Sequence, residues 1–371
     1  MSESMPATER EHAVAADLPP RTAVRTAVRA GLARGRTPGW VLVLSALLAA
    51  VLLYFALRGV SWPALWGALR RGNPGYLALS FVTLSAAYVA MGLRWGVLVS
   101  GERRLTPTTA FWTTMIGLFG NGFLPARAGD VIRIVVTSRV AAASAGAVLA
   151  AVIAERLSDV LALATLGMLA SLTLRTLPSW LRDATRLAAF IAIVGMVALV
   201  LASYAERATL SLLARAPLPE AVRSRAMGLL RKFLVGTRVL QRPRNAVCVA
   251  ALTAMVWSLN IATTLEMARA LHLALTWQQA MLFQIALGLA SAAPSTPGYV
   301  GIFQFVAVTV LVPFGLTRDD AVALVIVLQA VTYIAVTLWG MLGVWRIAAR
   351  DGSAAEQRGR AADPDSMLGS R

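Results

Sequence analysis

Glu155-Arg156-Leu157-Ser158-Asp159 is a run of charges inside a long apolar stretch. Glu155 and Asp159 are four residues apart, so a helix sets both on one face. A charge at the bilayer centre costs about 2.5–3.5 kcal/mol on insertion, so such residues usually serve a function. If the helix starts near Ser144, Glu155 lies about 16 Å along it at 1.5 Å per residue, near mid-bilayer. Arg156 can then neutralise one carboxylate, and the other can take a cationic group or a proton. If the span starts at Leu157 instead, the cluster is interfacial. A second group is Asn121, Pro125, Arg127, Asp130 and Arg133, with Gly122 and Gly129 among them. Proline and glycine permit a tight turn there. A freed helix N-terminus flanked by arginines suits an anion such as a lipid phosphate. The plainer reading is a cytoplasmic loop with arginines that set topology. A third group is Pro294, Pro297, Gly298, Gly301 and Gln304. Its backbone break is strong, but its polar content is limited to Ser295, Thr296 and Gln304. Arg94, Glu266 and Arg269 fall near the ends of apolar runs, where snorkelling to the interface accounts for them.

The elements that must position these residues are helices in a membrane. The chain has 371 residues, is 58% hydrophobic and only 14% charged, and has a mean hydropathy of +0.68. A soluble domain carries about 25% charged residues. The apolar residues collect in long runs such as Val41–Leu57 and Tyr76–Ser100, and about 20 such residues cross a hydrocarbon core. The net charge of +17 would suggest nucleic acid in a soluble protein. Here the basic residues sit in short loops between apolar runs, so no nucleic-acid partner is expected. Cys248 is the single cysteine, and His12 and His272 are far apart, so no disulfide, metal site or cofactor is expected. No P-loop, HExxH, GxSxG or GxGxxG occurs.

Six segments are long enough to cross: roughly 40–57, 76–99, 144–173, 186–204, 245–269 and 320–346. Residues 108–139 and 277–314 differ, because each is two apolar arms interrupted by proline and glycine. An arm of about 15 residues rises only about 22 Å, so each pair reads as a re-entrant hairpin rather than two crossings. The order is span, span, hairpin, span, and then the same again. The two halves start on opposite sides, which makes an inverted repeat. With both termini cytoplasmic, most arginines of the tails and of the 206–243 segment fall inside, as the positive-inside rule requires. Leu210, Leu213, Leu229, Leu230, Phe233 and Leu234 alternate with basic residues in 206–243, which suits an amphipathic helix on an anionic leaflet; topology alone explains it equally well. The expected organisation is a disordered tail 1–39, a membrane domain 40–349 with repeat halves near 40–173 and 186–346, and a polar tail 350–371. The fold class is all-α, and the expected location is the inner (plasma) membrane.

The three groups together resemble the flippase-like membrane domain of lysylphosphatidylglycerol synthases and their stand-alone relatives. That family's Asn…Leu-Pro-x-Arg-x-Gly-Glu-x-x-Arg stretch matches Asn121, Leu124, Pro125, Arg127, Gly129, Asp130 and Arg133. Its Glu-Arg-x-x-Asp matches Glu155, Arg156 and Asp159, and its Pro-x-x-Pro-Gly-x-x-Gly-x-x-Glu matches Pro294, Pro297, Gly298, Gly301 and Gln304. Asp130 keeps the charge of the family's Glu, and Gln304 loses it. The resemblance implies a translocase for an anionic phospholipid or polyprenyl-linked lipid, without lysyl transfer, its substrate held by Arg127, Arg133 and Arg156. A homo-oligomer or envelope-synthesis enzymes are the other expected partners. A lipid-linked glycosyltransferase and a non-transporting scaffold are the rival expectations.

Overall fold

The computed structural model describes Tyr54, residues 62–124, 127–173, 179–204, 219–291 and 299–361, with isolated positions between 206 and 214. The tail 1–39, most of the expected span 40–57, and Pro125, Pro294, Pro297 and Gly298 lie outside these residues. The chain divides into two compact units. Residues 37–343 form one. Residues 1–36 and 344–371 form the other, and its described part is helical through Ala361.

Among the described residues every regular element is a helix. They are α1 (Trp62–Arg70), α2 (Pro74–Val99), α3 (Pro107–Phe123), α4 (Ala128–Val140), α5 (Ala145–Thr173), α6 (Ser179–Tyr204), α7 (Glu220–Thr237), α8 (Pro243–Ala270), α9 (Trp277–Ala290), α10 (Ile302–Leu311) and α11 (Arg318–Ala361). Short 3-10 turns follow α7 and α10, at Arg238–Gln241 and Val312–Phe314. Helix α11 runs through residues 350–361, which the sequence assigned to a polar tail. Four helical stretches are long and apolar enough to cross a membrane: Pro74–Val99, Arg182–Ala202, Pro243–Ala270 and Arg318–Ile347. Helix α5 has 29 residues, about 43 Å at 1.5 Å per residue, and carries Glu155, Arg156 and Asp159 within it.

Local signals set where the helices start. Asn73 caps α2 by accepting from the Gly75 N–H at 2.9 Å, with Pro74 at the first helical position. Thr106 and Pro107 repeat that arrangement at α3. Thr276 and Gln279 form a capping box at α9, with the Thr276 N–H donating to Gln279 Oε1 at 2.8 Å. Each device satisfies amide groups that a helix start leaves without partners.

Both interrupted regions are helix–break–helix units. The first breaks between α3 and α4, where Arg127 adopts a left-handed conformation (φ 54°, ψ 37°). The second breaks between α9 and α10, and Gly301 at φ 88° stands at the start of α10. The arms α3 and α4 approach very closely. A Cβ on Gly120 would lie 2.7 Å from the Gly129 Cα, so neither position has room for a side chain.

Helices α2 and α8 pack antiparallel. The Asn73 N–H donates to the Ala270 carbonyl at 2.8 Å, and Thr83 donates to Glu266 at 3.0 Å. Small residues permit the other close crossings: Gly92 against Phe111 joins α2 to α3, and Gly340 against Phe119 joins α11 to α3. Lipid gives no hydrophobic drive for helix association, so such close packing carries it instead. One apolar cluster joins α8, α9, α10 and the start of α11 around Met267, Phe283 and Leu324. Another joins α2, α5, α6 and α8 around Trp95, Leu98 and Val148. Helix α6 leaves Leu187, Phe190, Ile193, Val197 and Leu201 exposed, the apolar face a bilayer would cover.

The α3–α4 contact leads to a prediction. Gly120→Val should lower the stability of the detergent-solubilised protein by about 1–3 kcal/mol, the usual cost of overpacking. Gly228→Ala, where a Cβ meets nothing within 4 Å, should be close to neutral. Thermal unfolding followed by size-exclusion chromatography distinguishes the two.

Candidate functional site

Three helices bring charge into one buried place. Glu155 and Asp159 lie on one face of α5 and both meet Arg94 of α2. Arg94 Nη1 donates to Asp159 Oδ1 at 2.5 Å and to Thr253 Oγ1 on α8 at 3.0 Å. Its Nη2 donates to Asp159 Oδ2 and to Glu155 Oε1, each at 3.3 Å. Two parallel bonds from a planar guanidinium to a carboxylate are the strong form of this pair. The Arg94 side chain has 0% exposure and Glu155 3%. Arg94 is therefore not an interfacial, snorkelling residue, as its place near the end of an apolar run suggested. It sits at the centre of the charged cluster because α5 and α8 close over it.

Arg133 of α4 completes this half. It donates from Nη1 to Glu155 Oε1 at 3.2 Å and from Nη2 to Thr114 Oγ1 on α3 at 3.0 Å. Its guanidinium lies over the Trp95 ring, 3.7 Å from the centroid, a cation–π contact. Gly117 makes room for it, since a Cβ there would come within 2.9 Å of the Arg133 side chain. Some polar atoms in this half remain without a hydrogen-bond partner: Nε of Arg94, Nε of Arg133, Nε1 of Trp95 and Oε2 of Glu155, the last 3.1 Å from Arg133 Nη1.

Arg156 does not neutralise its neighbours on α5. It points the other way, and Nη2 donates to Asp130 Oδ2 at 2.8 Å and Oδ1 at 3.0 Å. Asp130 is held in turn by Asn121. The Asn121 amide donates to Asp130 Oδ1 at 2.9 Å and accepts the Asp130 N–H at 3.2 Å. This pair is more open, with Arg156 at 39% and Asp130 at 19% side-chain exposure. The cluster thus contains Arg94, Arg133 and Arg156 against Glu155, Asp159 and Asp130, and their formal charges cancel.

Arg127 is set apart. Its Nη2 donates to the Ser291 carbonyl and, at 3.2 Å, to Ser291 Oγ. Ser291 follows α9, so this contact joins the break of the first helical pair to that of the second. In the second pair, Gln304 Oε1 accepts the Gly301 N–H at 2.7 Å, and Gln304 Nε2 donates to Gln329 on α11 at 2.5 Å. Gln304 serves α10 as a start signal and places no charge there. Pro125, Pro294, Pro297 and Gly298 lie outside the described residues. Among the described residues no three His, Cys, Asp or Glu side chains gather as a metal site would need.

Sequence reasoning missed Arg94, Thr114, Thr253 and Ser291. Arg94 was visible as a charge in an apolar run. The others are small hydroxyl residues with no pattern of their own.

Among the described residues, a helical bundle with four stretches long and apolar enough to span a membrane, and a charge-balanced cluster packed between its helices, has the character of a polytopic membrane protein. The family comparison agrees. Residues 42–340 match the lysylphosphatidylglycerol synthase TM region, and the chain belongs to that family. No curated protein matches it.

The geometry ranks the arginines. Arg94→Met takes away the cation paired with Asp159 while Glu155 keeps Arg133, and should destabilise the protein by about 3–5 kcal/mol. Arg156→Met breaks a half-open pair and should cost clearly less. Chemical denaturation in detergent, read by tryptophan fluorescence, compares them.

Proposed function

We propose that this protein is a lipid translocase that moves an anionic or polyprenyl-linked lipid between leaflets of the inner membrane. The observation that carries this reading is the Arg127–Ser291 contact, which joins the two helix breaks, with Arg127 three residues before Asp130 of the charge cluster. Non-helical backbone at membrane depth survives only when buried in protein or lining a wet cavity. Interrupted helices at matching places in two halves mark transport sites in other membrane proteins.

In this reading α3–α4 and α9–α10 are re-entrant hairpins entering from opposite faces, and both termini are cytoplasmic. The span order then forms an inverted repeat, with the first span supplied by 40–57. The lipid headgroup passes between the hairpin tips while its chains stay in the bilayer. Arg133 and Arg94 hold Glu155 and Asp159 in place rather than grip the headgroup. Arg156 and Asp130, the more open pair, can part to follow a moving charge. No nucleotide-binding motif is present, so movement is downhill or coupled to a gradient, and no bond is made or broken.

Two experiments test this. Leaflet-resolved transport of fluorescent phosphatidylglycerol and of polyprenyl phosphates in proteoliposomes should be robust for the wild type. It should fall to the protein-free level in Glu155→Gln and Arg127→Ala. Unchanged transport in both folded variants would remove the site assignment. The hairpin topology is tested in a Cys248→Ala background with single cysteines and an impermeant thiol reagent. Thr108→Cys and Val140→Cys should label from the cytoplasmic side, and Ala274→Cys and Thr317→Cys from the other. In the re-entrant arrangement Phe123→Cys at the first tip resists labelling from the outer solution; ready labelling there would mean that the first pair crosses the membrane.

A further inference from the structure

We propose that Arg127 and Ser291 form a latch that a lipid phosphate opens: the phosphate takes the place of Ser291 on the Arg127 guanidinium. This rests on the translocase reading and names the chemistry its site selects.

The first observation is the state of the arginines. Arg94, Arg133 and Arg156 each pair with a carboxylate at 3.3 Å or less. Among the described residues Arg127 has neutral acceptors alone, the carbonyl and hydroxyl of Ser291. Among the described residues the positive charge of the other three is balanced by a carboxylate, whereas that of Arg127 is not. A guanidinium binds an anionic oxygen roughly twice as strongly as a neutral one and matches a phosphate with two parallel bonds. An incoming phosphate therefore competes on favourable terms with Ser291.

The second observation is what that exchange would release. Ser291 is tied to its own helix, since its N–H donates to the Leu287 carbonyl at 2.8 Å and its hydroxyl to the Gly288 carbonyl at 2.7 Å. Its exchange partner Arg127 stands at the start of α4, three residues before Asp130. Losing the Ser291 contact removes the described link between the two breaks and leaves the bonds of Ser291 to its own helix in place. The second pair offers no carboxylate that would hold Arg127 more firmly, because Gln304 is neutral and engaged with Gly301 and Gln329. Phe123 and Val300, beside the two breaks, are 49% and 41% uncovered by protein and leave room for a label. The selectivity that follows is for lipids with an accessible phosphate oxygen, and neutral glycolipids should leave the latch closed.

The experiment uses the full chain with Cys248→Ala, Phe123→Cys and Val300→Cys, spin-labelled at the two tips. The protein is placed in nanodiscs of digalactosyldiacylglycerol, a lipid without phosphate. Phosphatidylglycerol in the disc, or inorganic phosphate in the buffer, is then titrated. The inter-label distance should lengthen with phosphatidylglycerol. Ser291→Ala should reduce the amount needed severalfold, as loss of one competing hydrogen bond would, and Arg127→Gln should abolish the response. No lengthening in the wild type, or the same lengthening in Arg127→Gln, overturns the latch. Lengthening with inorganic phosphate alone overturns its assignment to a lipid. Leaflet-resolved transport in the same lipids separates the two readings. Transport without tip movement removes the latch and leaves the translocase. Tip movement without transport supports the latch and removes the translocase.

Discussion

Arg94 is the residue on which the described site depends. It has no exposure, lies within an apolar helix, and meets two carboxylates and Thr253 at once. An isolated guanidinium there would cost several kcal/mol. With Glu155 and Asp159 it fixes the rotation of α5 against α2, and through Thr253 it also fixes α8. Once α5 is turned that way, Arg156 emerges on the side of α4 and reaches Asp130. Arg133 then closes on Glu155 from α4. Apolar helices packed by small residues can slide and rotate at little cost; sliding or rotating these helices would part the paired charges.

The hairpin-like pairs follow from that constraint. Helix α4 is short, 13 residues, yet it carries Asp130 and Arg133, one for each half of the cluster. Gly117, Gly120 and Gly129 let it lie flat against α3, and Asn121 returns its own amide to Asp130. The first break therefore cannot move without disturbing the ion pairs. Among the described residues the second break has no such tie. Its polar side chains serve helix ends and α11, and its described link to the first is Arg127 with Ser291. One half of the site is held by ion pairs, and the second break is joined to it, among the described residues, by the hydrogen bonds of Arg127 to Ser291.

Much of this was legible in the sequence. The helices α2, α3, α4, α5, α8, α9 and α10 fall within a few residues of the apolar runs, and proline, asparagine or threonine marks the starts of α2, α3, α8 and α9. The breaks at 124–127 and after Ser291 were visible as proline and glycine in apolar surroundings. Asn121, Asp130, Arg133, Glu155, Arg156 and Asp159 were identifiable as charged or amide residues where lipid disfavours them. The pairing was not legible. A helix apolar on all sides gives no periodicity that says which face is buried. Arg94 could therefore be placed along α2 but not around it, and Arg156 was assigned to its sequence neighbours rather than to Asp130. Ser291 and Thr253 carry no signal, because an isolated hydroxyl residue is common in membrane helices.

The central claim is that the buried charges act as one unit, with Arg94 as its pivot. It is tested most directly by a double-mutant cycle on unfolding free energy, with Arg94→Met, Asp159→Leu and the two combined. The account predicts strong coupling, with the double variant more stable than the sum of the single losses by about 1–3 kcal/mol, the upper part of the range for residues in direct contact. Losses that simply add would mean that Arg94 and Asp159 are stabilised independently, and the buried network would not be what orders these helices.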